Sequence, residues 1–580
     1  MQRLQQFAIS IARWTWFGIL LLLAFGYLAS GLSTGSRPSL SQSIDSFFDK
    51  SVTQTPIRVG ADQQATDPKD QANSGQTSIE HAVASVNQAR NKHLNSLDLQ
   101  SAETANWLTI CRRLSLSLVG SGLSLEEIRD LERYPEGERE RRHLQNLLHD
   151  SRYHQYWAER WTRYLVGTDG GQFIAYRRRR FRIWLTEQLS ENRPYDEIIT
   201  DLITAEGLWT DRAEVNFYTA TFDSNDGKAD PIRLAAKTSR VFLGLRIDCL
   251  QCHDDFLGNV NLGDANEIRE GKQTDFHQLA AFFTGAKTNF LQGIKSGTAD
   301  YRYQYLDEDK ETEVEPNVPF HTDLIPEQGD PRSRLAAWIT HPENQQTARA
   351  TVSHVWAIIF GRPISESVDN LPLDQPSHPI LNILAEDLIK NGFDLRRLIT
   401  IITRSDAFRI SSRADFPITK KHEAHLGVFP LVRLRPEQVA GSIIQSSRIK
   451  KTDRESSLFL QFQKLTGINE FVQRYGDQGE DEFDLESVTI TQRLLMMNGK
   501  MMRESIESNP VLNTSGHLGM FAEDDQMVIE SAYLSTINRY PTPDEVTQFS
   551  NRLSESTNRG DAIEDLMWVL TNSSEMAWNH

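Results

Sequence analysis

Residues 98–130 read DLQSAETANWLTICRRLSLSLVGSGLSLEEIRD, and this stretch sets the fold class. Through residue 119, Leu, Trp, Ile and Leu recur at spacings of three and four, the period of a helix with one buried face. Ser124-Leu125-Glu126-Glu127 then supplies a capping box, in which serine and glutamate each satisfy an end amide of the other. The same grammar continues downstream. Helices are expected at 151–165, an aromatic-rich stretch, and at 181–190, 195–205, 233–248 and 275–285. More follow at 333–340, 345–360, 394–405, 435–446 and 560–572. Ser377-His378-Pro379 opens another, which Asn391-Gly392 closes because both residues tolerate the left-handed conformation. Thr542-Pro543-Asp544-Glu545 joins a cap, a first-turn proline and a reciprocal glutamate. Strand-like alternation is scarce. The fold class is mainly α-helical, with two helical domains behind an N-terminal segment and a flexible tether.

Working outward toward the N-terminus, residues 14–36 carry no charged side chain. Arg3 and Arg13 precede them, and the apolar run from Trp14 to Leu32 is long enough to cross a bilayer. Basic residues on the leading side predict an inside N-terminus with the chain outside. Residues 1–33 are therefore read as a transmembrane anchor or a signal segment. Retention gives a protein held at the cytoplasmic membrane with its folded part in the periplasm. Cleavage near Ala29 and Gly31 gives a secreted one. Residues 34–95, rich in Ser, Gln, Asp, Thr and Asn, read as a disordered tether. Residues 96–290 form the first helical domain, 291–330 an acidic, Tyr- and Pro-rich loop or linker, and 331–580 the second helical domain.

The 580 residues include 79 acidic and 62 basic side chains, a formal charge of −17. That balance argues against nucleic acid as a partner, since phosphates call for a basic surface. The arginine run 177–180, with Arg182, reads as a solvated or internally paired helix face. Three cysteines exclude a disulfide-built scaffold. Cys111 lies in an apolar helix and reads as a small buried side chain.

The chemistry concentrates in FLGLRIDCLQCHDDFLG, residues 242–258. Cys249, Cys252 and His253 form a CxxCH. In haem c attachment the two thiols add to the porphyrin vinyl groups and the adjacent imidazole becomes an axial iron ligand. Export agrees with this, because that attachment is completed outside the cytoplasmic membrane. Two other occupants of the motif stay open: a zinc or other metal ion, and a disulfide. His277, in TDFHQLAAFFTG, is a candidate second iron ligand or metal ligand at the edge of an apolar stripe. Met496, Met497, Met501 and Met502 are eligible by chemistry but read as core packing. Asp254 and Asp255 are candidates to orient the imidazole or to join a metal shell. No phosphate loop, nicotinamide fingerprint, nucleophile elbow or HExxH helix occurs.

The chain resembles the planctomycete-type proteins that pair the domains of unknown function DUF1549 and DUF1553, also described as planctomycete cytochrome-C-associated domains. The first domain's likeness rests on RRLSLSLVG (112–120), NRPYDEIITDLITAEG (192–207), SRVFLGLRIDCLQCHDDF (239–256) and DFHQLAAFF (275–283). The second rests on RLAAWITHPEN (334–344), HVWAIIFGRPI (354–364), PSHPILNILAEDLI (376–389), ITRSDAFRISS (402–412), NRYPTPDE (538–545) and DLMWVLTNSSEMAWNH (565–580). Three positions depart from the family pattern. Ser353-His354 stands where Asn-Arg is usual, Asp369-Asn370 where paired aspartates are usual, and Asp254-Asp255-Phe256-Leu257 where a proline-bearing segment is usual. The resemblance implies no settled activity. Its context of neighbouring secreted sulfatase-like enzymes implies a link to polysaccharide breakdown.

Three functions follow as expectations. The first is an extracytoplasmic haem c protein in electron transfer or an oxidoreductase step, with a redox partner. The second is a metal-dependent enzyme, with zinc, acting on extracellular glycans. The third is a non-enzymatic surface or scaffold protein whose cysteines form a local disulfide.

Overall fold

The computed structural model describes residues 68–168, 176–258, 260–264, 267–289, 291–306, 308–373, 377–452, 458–476, 483, 490–507 and 513–580. The anchor or signal segment at 1–33 and the first half of the tether lie outside them. Residues 1–71 form one unit, of which only the start of a helix is described, and residues 72–580 form the other. Among the described residues, no helix is long and apolar enough to cross a membrane.

The chain is mainly helical, as the periodicity predicts. In the opening stretch the helix is Trp107–Val119. It begins later than the apolar spacing suggests, because Asn106 caps it by accepting from the Thr109 amide at 2.9 Å. Gly120 ends it in the left-handed conformation. The Ser124–Glu127 and Thr542–Glu545 capping boxes both form. Cys111 is buried among Trp107, Leu108, Leu123, Ile128 and Leu131.

Two corrections concern boundaries. Pro68–Ser96, read from sequence as the end of the tether, is a helix. Its core-facing stripe is one residue in four: Ala82, Val86, Arg90 and Leu94 are buried. Small side chains and an arginine hide that stripe from any average of hydrophobicity. Arg90 is buried productively, since its guanidinium donates to the Leu426 carbonyl at 2.8 Å and to Ser101 Oγ at 2.7 Å. The second correction concerns 233–248. That helix is Pro231–Leu243, and it stops short of the cysteines because Gly244 takes the left-handed conformation.

Among the described residues, four two-stranded antiparallel ribbons interrupt the helices, and the spacing analysis did not anticipate them. They are Asn261–Asp264 with Glu267–Glu270, Ala286–Asn289 with Gly293–Ser296, Arg302–Tyr303 with Thr312–Glu313, and Val432–Arg433 with Trp578–Asn579. The third falls inside 291–330, the segment read as a loop.

Residues from both halves share one apolar core, which runs from Ala82 to Phe429 and includes Trp157, Trp161, Trp338 and Trp356. Arginine ties join sequence-distant elements within it. Arg113, on the Trp107–Val119 helix, donates to the carbonyls of Phe408 and Ile410, each at 2.7 Å, and to that of His580 at 2.9 Å. Its neighbour Arg112 reaches the carbonyls of Trp578 and Glu575. Each guanidinium thus donates to two or more backbone carbonyls distant in sequence.

Candidate functional site

The site grows out of the Pro231–Leu243 helix. Asp230 caps its start, and Gly244 closes its end with bonds back to Arg240 and Ser239. A side chain at Gly244 would press on Leu371 and Ala350, so glycine serves both the φ of +60° and the packing. Beyond it Leu245, Ile247 and Leu250 turn inward and are buried. Leu250 lies in a single 3-10 turn, Asp248–Gln251, and acts as its apolar plug. Cys249, Cys252 and His253 are left exposed, and both cysteines are free thiols.

His253 has a defined tautomer. Its Nδ1 lies 2.7 Å from the Asp254 carbonyl oxygen, which can only accept, so Nδ1 carries the proton. Nε2 is then the lone-pair nitrogen, on an exposed ring. Phe256 lies nearly parallel to that ring at 6.4 Å. The Cys249 thiol has its pKa raised, first by partial burial and then by the charge of Asp255.

The two aspartates serve the backbone. Asp254 Oδ1 accepts from the Gln273 amide at 2.7 Å, at the start of the Gln273–Ala281 helix. Asp255 is buried, and its carboxylate accepts from the amides of Leu257 at 3.1 Å and Val260 at 2.5 Å. Its own amide donates to the Gly271 carbonyl.

His277 is fully buried, and both ring nitrogens are engaged. Nε2 lies 3.1 Å from the Gln251 carbonyl oxygen and therefore carries the proton. Nδ1 accepts from the Tyr301 hydroxyl at 2.8 Å. Burial lowers its pKa, which agrees with this neutral form. The Tyr303 ring stacks on it at 3.5 Å between centroids. The Gln251 carbonyl also receives Gln273 Nε2 at 3.0 Å and the Tyr303 hydroxyl at 3.2 Å. Three donors thus converge on a single carbonyl, that of Gln251, between the two cysteines. Gln251, Gln273, Tyr301 and Tyr303 were not singled out from sequence. The legible signal was the alternation YRYQY at 301–305, which puts tyrosines on one face of a strand.

Among the described residues, no group of three or more His, Cys, Asp or Glu side chains converges as a metal ion requires. A zinc shell drawing on His277 or Asp255 is not assembled, because those side chains already bond the turn's backbone and its tyrosines. The CxxCH side chains are instead displayed together. Two free thiols and an imidazole with an available Nε2 all lie at the surface, within five consecutive residues.

A second polar centre lies deeper, around Ser353-His354 and Asp369-Asn370. Asp369 accepts from Arg240 Nε at 2.9 Å and from Arg246 Nε at 2.8 Å. Those pairs hold its carboxyl below the usual range against the opposing effect of burial. His354 is fully buried and stacks on Tyr164 at 3.7 Å between centroids, 10° from parallel. Neither ring nitrogen has a hydrogen-bond partner. Burial, reinforced by the nearby Arg435 and Arg160, pushes its pKa down to about 3. The arginine run proves internally paired in part: Arg178 and Arg182 face Glu159, while Arg179 and Arg180 are exposed.

These features define a mainly helical protein that displays a CxxCH turn on its surface. A model for a protein of unknown function, DUF1549, matches residues 85–288, and one for a protein of unknown function, DUF1553, matches residues 331–484. The chain belongs to the proteins that carry these two domains in tandem. No curated protein and no solved structure matches it.

Proposed function

We propose that this is an extracytoplasmic c-type haem protein that carries electrons to or from a redox partner. Cys249 and Cys252 are the thioether anchors and His253 is the proximal ligand. The observation that carries this reading is the tautomer of His253. The Asp254 carbonyl fixes the proton on Nδ1 and leaves Nε2 as a donor atom beside two exposed thiols. A backbone carbonyl on the far nitrogen is the usual way a protein orients a metal-bound imidazole. The bound haem supplies one-electron chemistry, and this chain supplies attachment and orientation. In this scheme His277 is a positioning residue, acting through the Gln251 carbonyl. Asp255 shapes the loop that follows.

A dithiol exchange function is less well supported. Exchange needs an accessible thiolate, and Cys249 has its pKa raised. The glycan-directed metal enzyme lacks a converged ligand set among the described residues.

Co-expression of the full chain with a cytochrome c maturation system tests the proposal. The expected result is a haem-stained band on a denaturing gel, with an intact mass raised by one haem. That adduct should vanish in the Cys249→Ala/Cys252→Ala double variant. A colourless protein of unmodified mass would overturn the reading.

A further inference from the structure

Three histidines from sequence-distant segments meet beside the core. His93 lies in the last turn of the Pro68–Ser96 helix, His378 caps the Pro379–Lys390 helix, and His425 follows the short Lys420–Ala424 helix. All three are half-buried. The His93 ring meets each of the other two edge-on, with 5.1 Å between centroids in both pairs. Its Nε2 lies 3.1 Å from His425 Nδ1, so one of these nitrogens donates a proton and the other accepts it. His378 Nδ1 accepts from the Ile380 amide at 3.3 Å and is therefore unprotonated.

These contacts close the end of the Pro68–Ser96 helix onto a strained corner. Leu426 has a φ of +61°, which a leucine rarely adopts. Arg90, one turn before His93, donates to the Leu426 carbonyl at 2.8 Å, and the bond from His93 holds His425 just before it. Leu94 is buried beside them. The charges that face the cluster are largely cationic. Arg90 shares the helix of His93, with Asp406 as the carboxylate that acts on it. Lys421 acts on His425 from the preceding helix, where His422 instead turns its Nδ1 to Thr419. The charges that act on His378 are those of His93 and His425. Each protonation therefore makes the next harder. A proton on His378 Nδ1 would also remove the acceptor from the start of its helix, where the dipole disfavours a cation.

We propose that His93, His378 and His425 form an acid-operated latch on the end of the Pro68–Ser96 helix. With neutral rings the helix end stays on the Leu426 corner. As the rings gain protons, their repulsion and the loss of the Ile380 bond release it. Burial, then the charges of His93 and His425, push the pKa of His378 down to about 4 from an ordinary 6.5. The released state binds the proton more readily, so the latch is closed above about pH 6.5 and opens as the pH falls from there toward 4. No group of the CxxCH turn takes part, so the device is independent of the haem proposal.

Hydrogen exchange of the full chain, followed by mass spectrometry at pH 7.5 and pH 5.0 and corrected for intrinsic rates, reads the latch. Amides of residues 88–96 should exchange about tenfold faster or more at the lower pH, relative to those of Trp107–Val119. His378→Asn keeps a capping acceptor that cannot be charged. Combined with His425→Gln, it should retain protection at pH 7.5 and abolish the acid response. His425→Lys sets a fixed cation in the cluster and should give the open pattern already at pH 7.5. Wild-type protection that does not change with pH, or an acid response undiminished in the double variant, would each overturn the proposal. If the double variant fails to fold, His378→Asn alone decides: a clearly smaller acid response supports the latch, and an undiminished one overturns it.

Discussion

Replacing His354 by phenylalanine should stabilise the protein, and more so in acid. Phenylalanine keeps the stack on Tyr164 and removes two buried ring nitrogens that have no partner. An unsatisfied buried polar group costs about 1–3 kcal/mol, so a gain of that order is expected at pH 7. The acid component follows from linkage. The folded pKa is about 3 against an ordinary 6.5, so the unfolded chain binds the proton preferentially. The wild type is therefore unaffected above about pH 6.5 and loses stability as the pH falls from there toward 3. Between pH 7 and pH 5 the loss due to this residue is about 2 kcal/mol, and over the whole window about 5 kcal/mol. Among the described residues, Asp369 opposes the shift, while Arg435 and Arg160 reinforce it. The assay is urea unfolding of wild type and variant in parallel, followed by tryptophan fluorescence at both pH values. Taking the difference between the two cancels every other titrating group. A variant no more stable than wild type, with the same slope against pH, would refute the reasoning and show that the imidazole is satisfied in solution.

Two further outcomes follow from the same coordinates. His277→Gln should lower the yield of haem attachment several-fold, because the Gln251 carbonyl loses one of its three donors, yet leave the absorption spectrum of the attached haem unchanged; an altered spectrum would mean that His277 ligates the iron. Glu127→Gln should cost about 3–5 kcal/mol in a melting experiment at pH 7, since it leaves the buried Arg152 short of its closest carboxylate. Glu127 has its pKa lowered to about 2, so its contribution is present above about pH 4.5 and is lost as the pH falls through 2.

Much of the helical frame was legible because its signals are local. Ser124 with Glu127, Thr542 with Glu545, and Asn391-Gly392 each act within a few residues, and each does in the structure what its chemistry predicts. The misses share a different cause. The Pro68–Ser96 helix buries Arg90, and that side chain is satisfied by Asn91, Ser101 and Leu426, the last of them far away in sequence. The tyrosines of 301–305 mean little until His277 and Gln251 are brought beneath them. For the candidate site, the motif Cys249, Cys252 and His253 was legible in the sequence, and the structure places all three at the surface. It could not show that Asp254, Asp255 and His277 spend their polar atoms on holding the turn, because that depends on which amides, carbonyls and hydroxyls the fold delivers to them.

The loop after the motif shows what that holding achieves. Asp255 draws the amides of Leu257 and Val260 onto one buried carboxylate, and Phe256, Leu257 and Gly258 are left exposed as a tip. Gly258 turns that tip at φ +69°, with nothing packed against it. Phe256 and Leu257 ride on it, 79 % and 84 % exposed, and the Phe256 ring lies 6.4 Å from that of His253. Leaving two such side chains in water forgoes about 1.5–3 kcal/mol of burial for each. On a monomer's surface, scattered apolar residues need no explanation. Here the pair is adjacent in sequence, displayed by a buried charge, and set against the imidazole with two free thiols nearby. Haem bonded through Cys249 and Cys252 would bring a large apolar surface to this stretch of chain, which an empty dithiol or a small hydrated ion would not. The same tip therefore supports the haem proposal through packing, independently of the chemistry of sulfur and nitrogen that first suggested it.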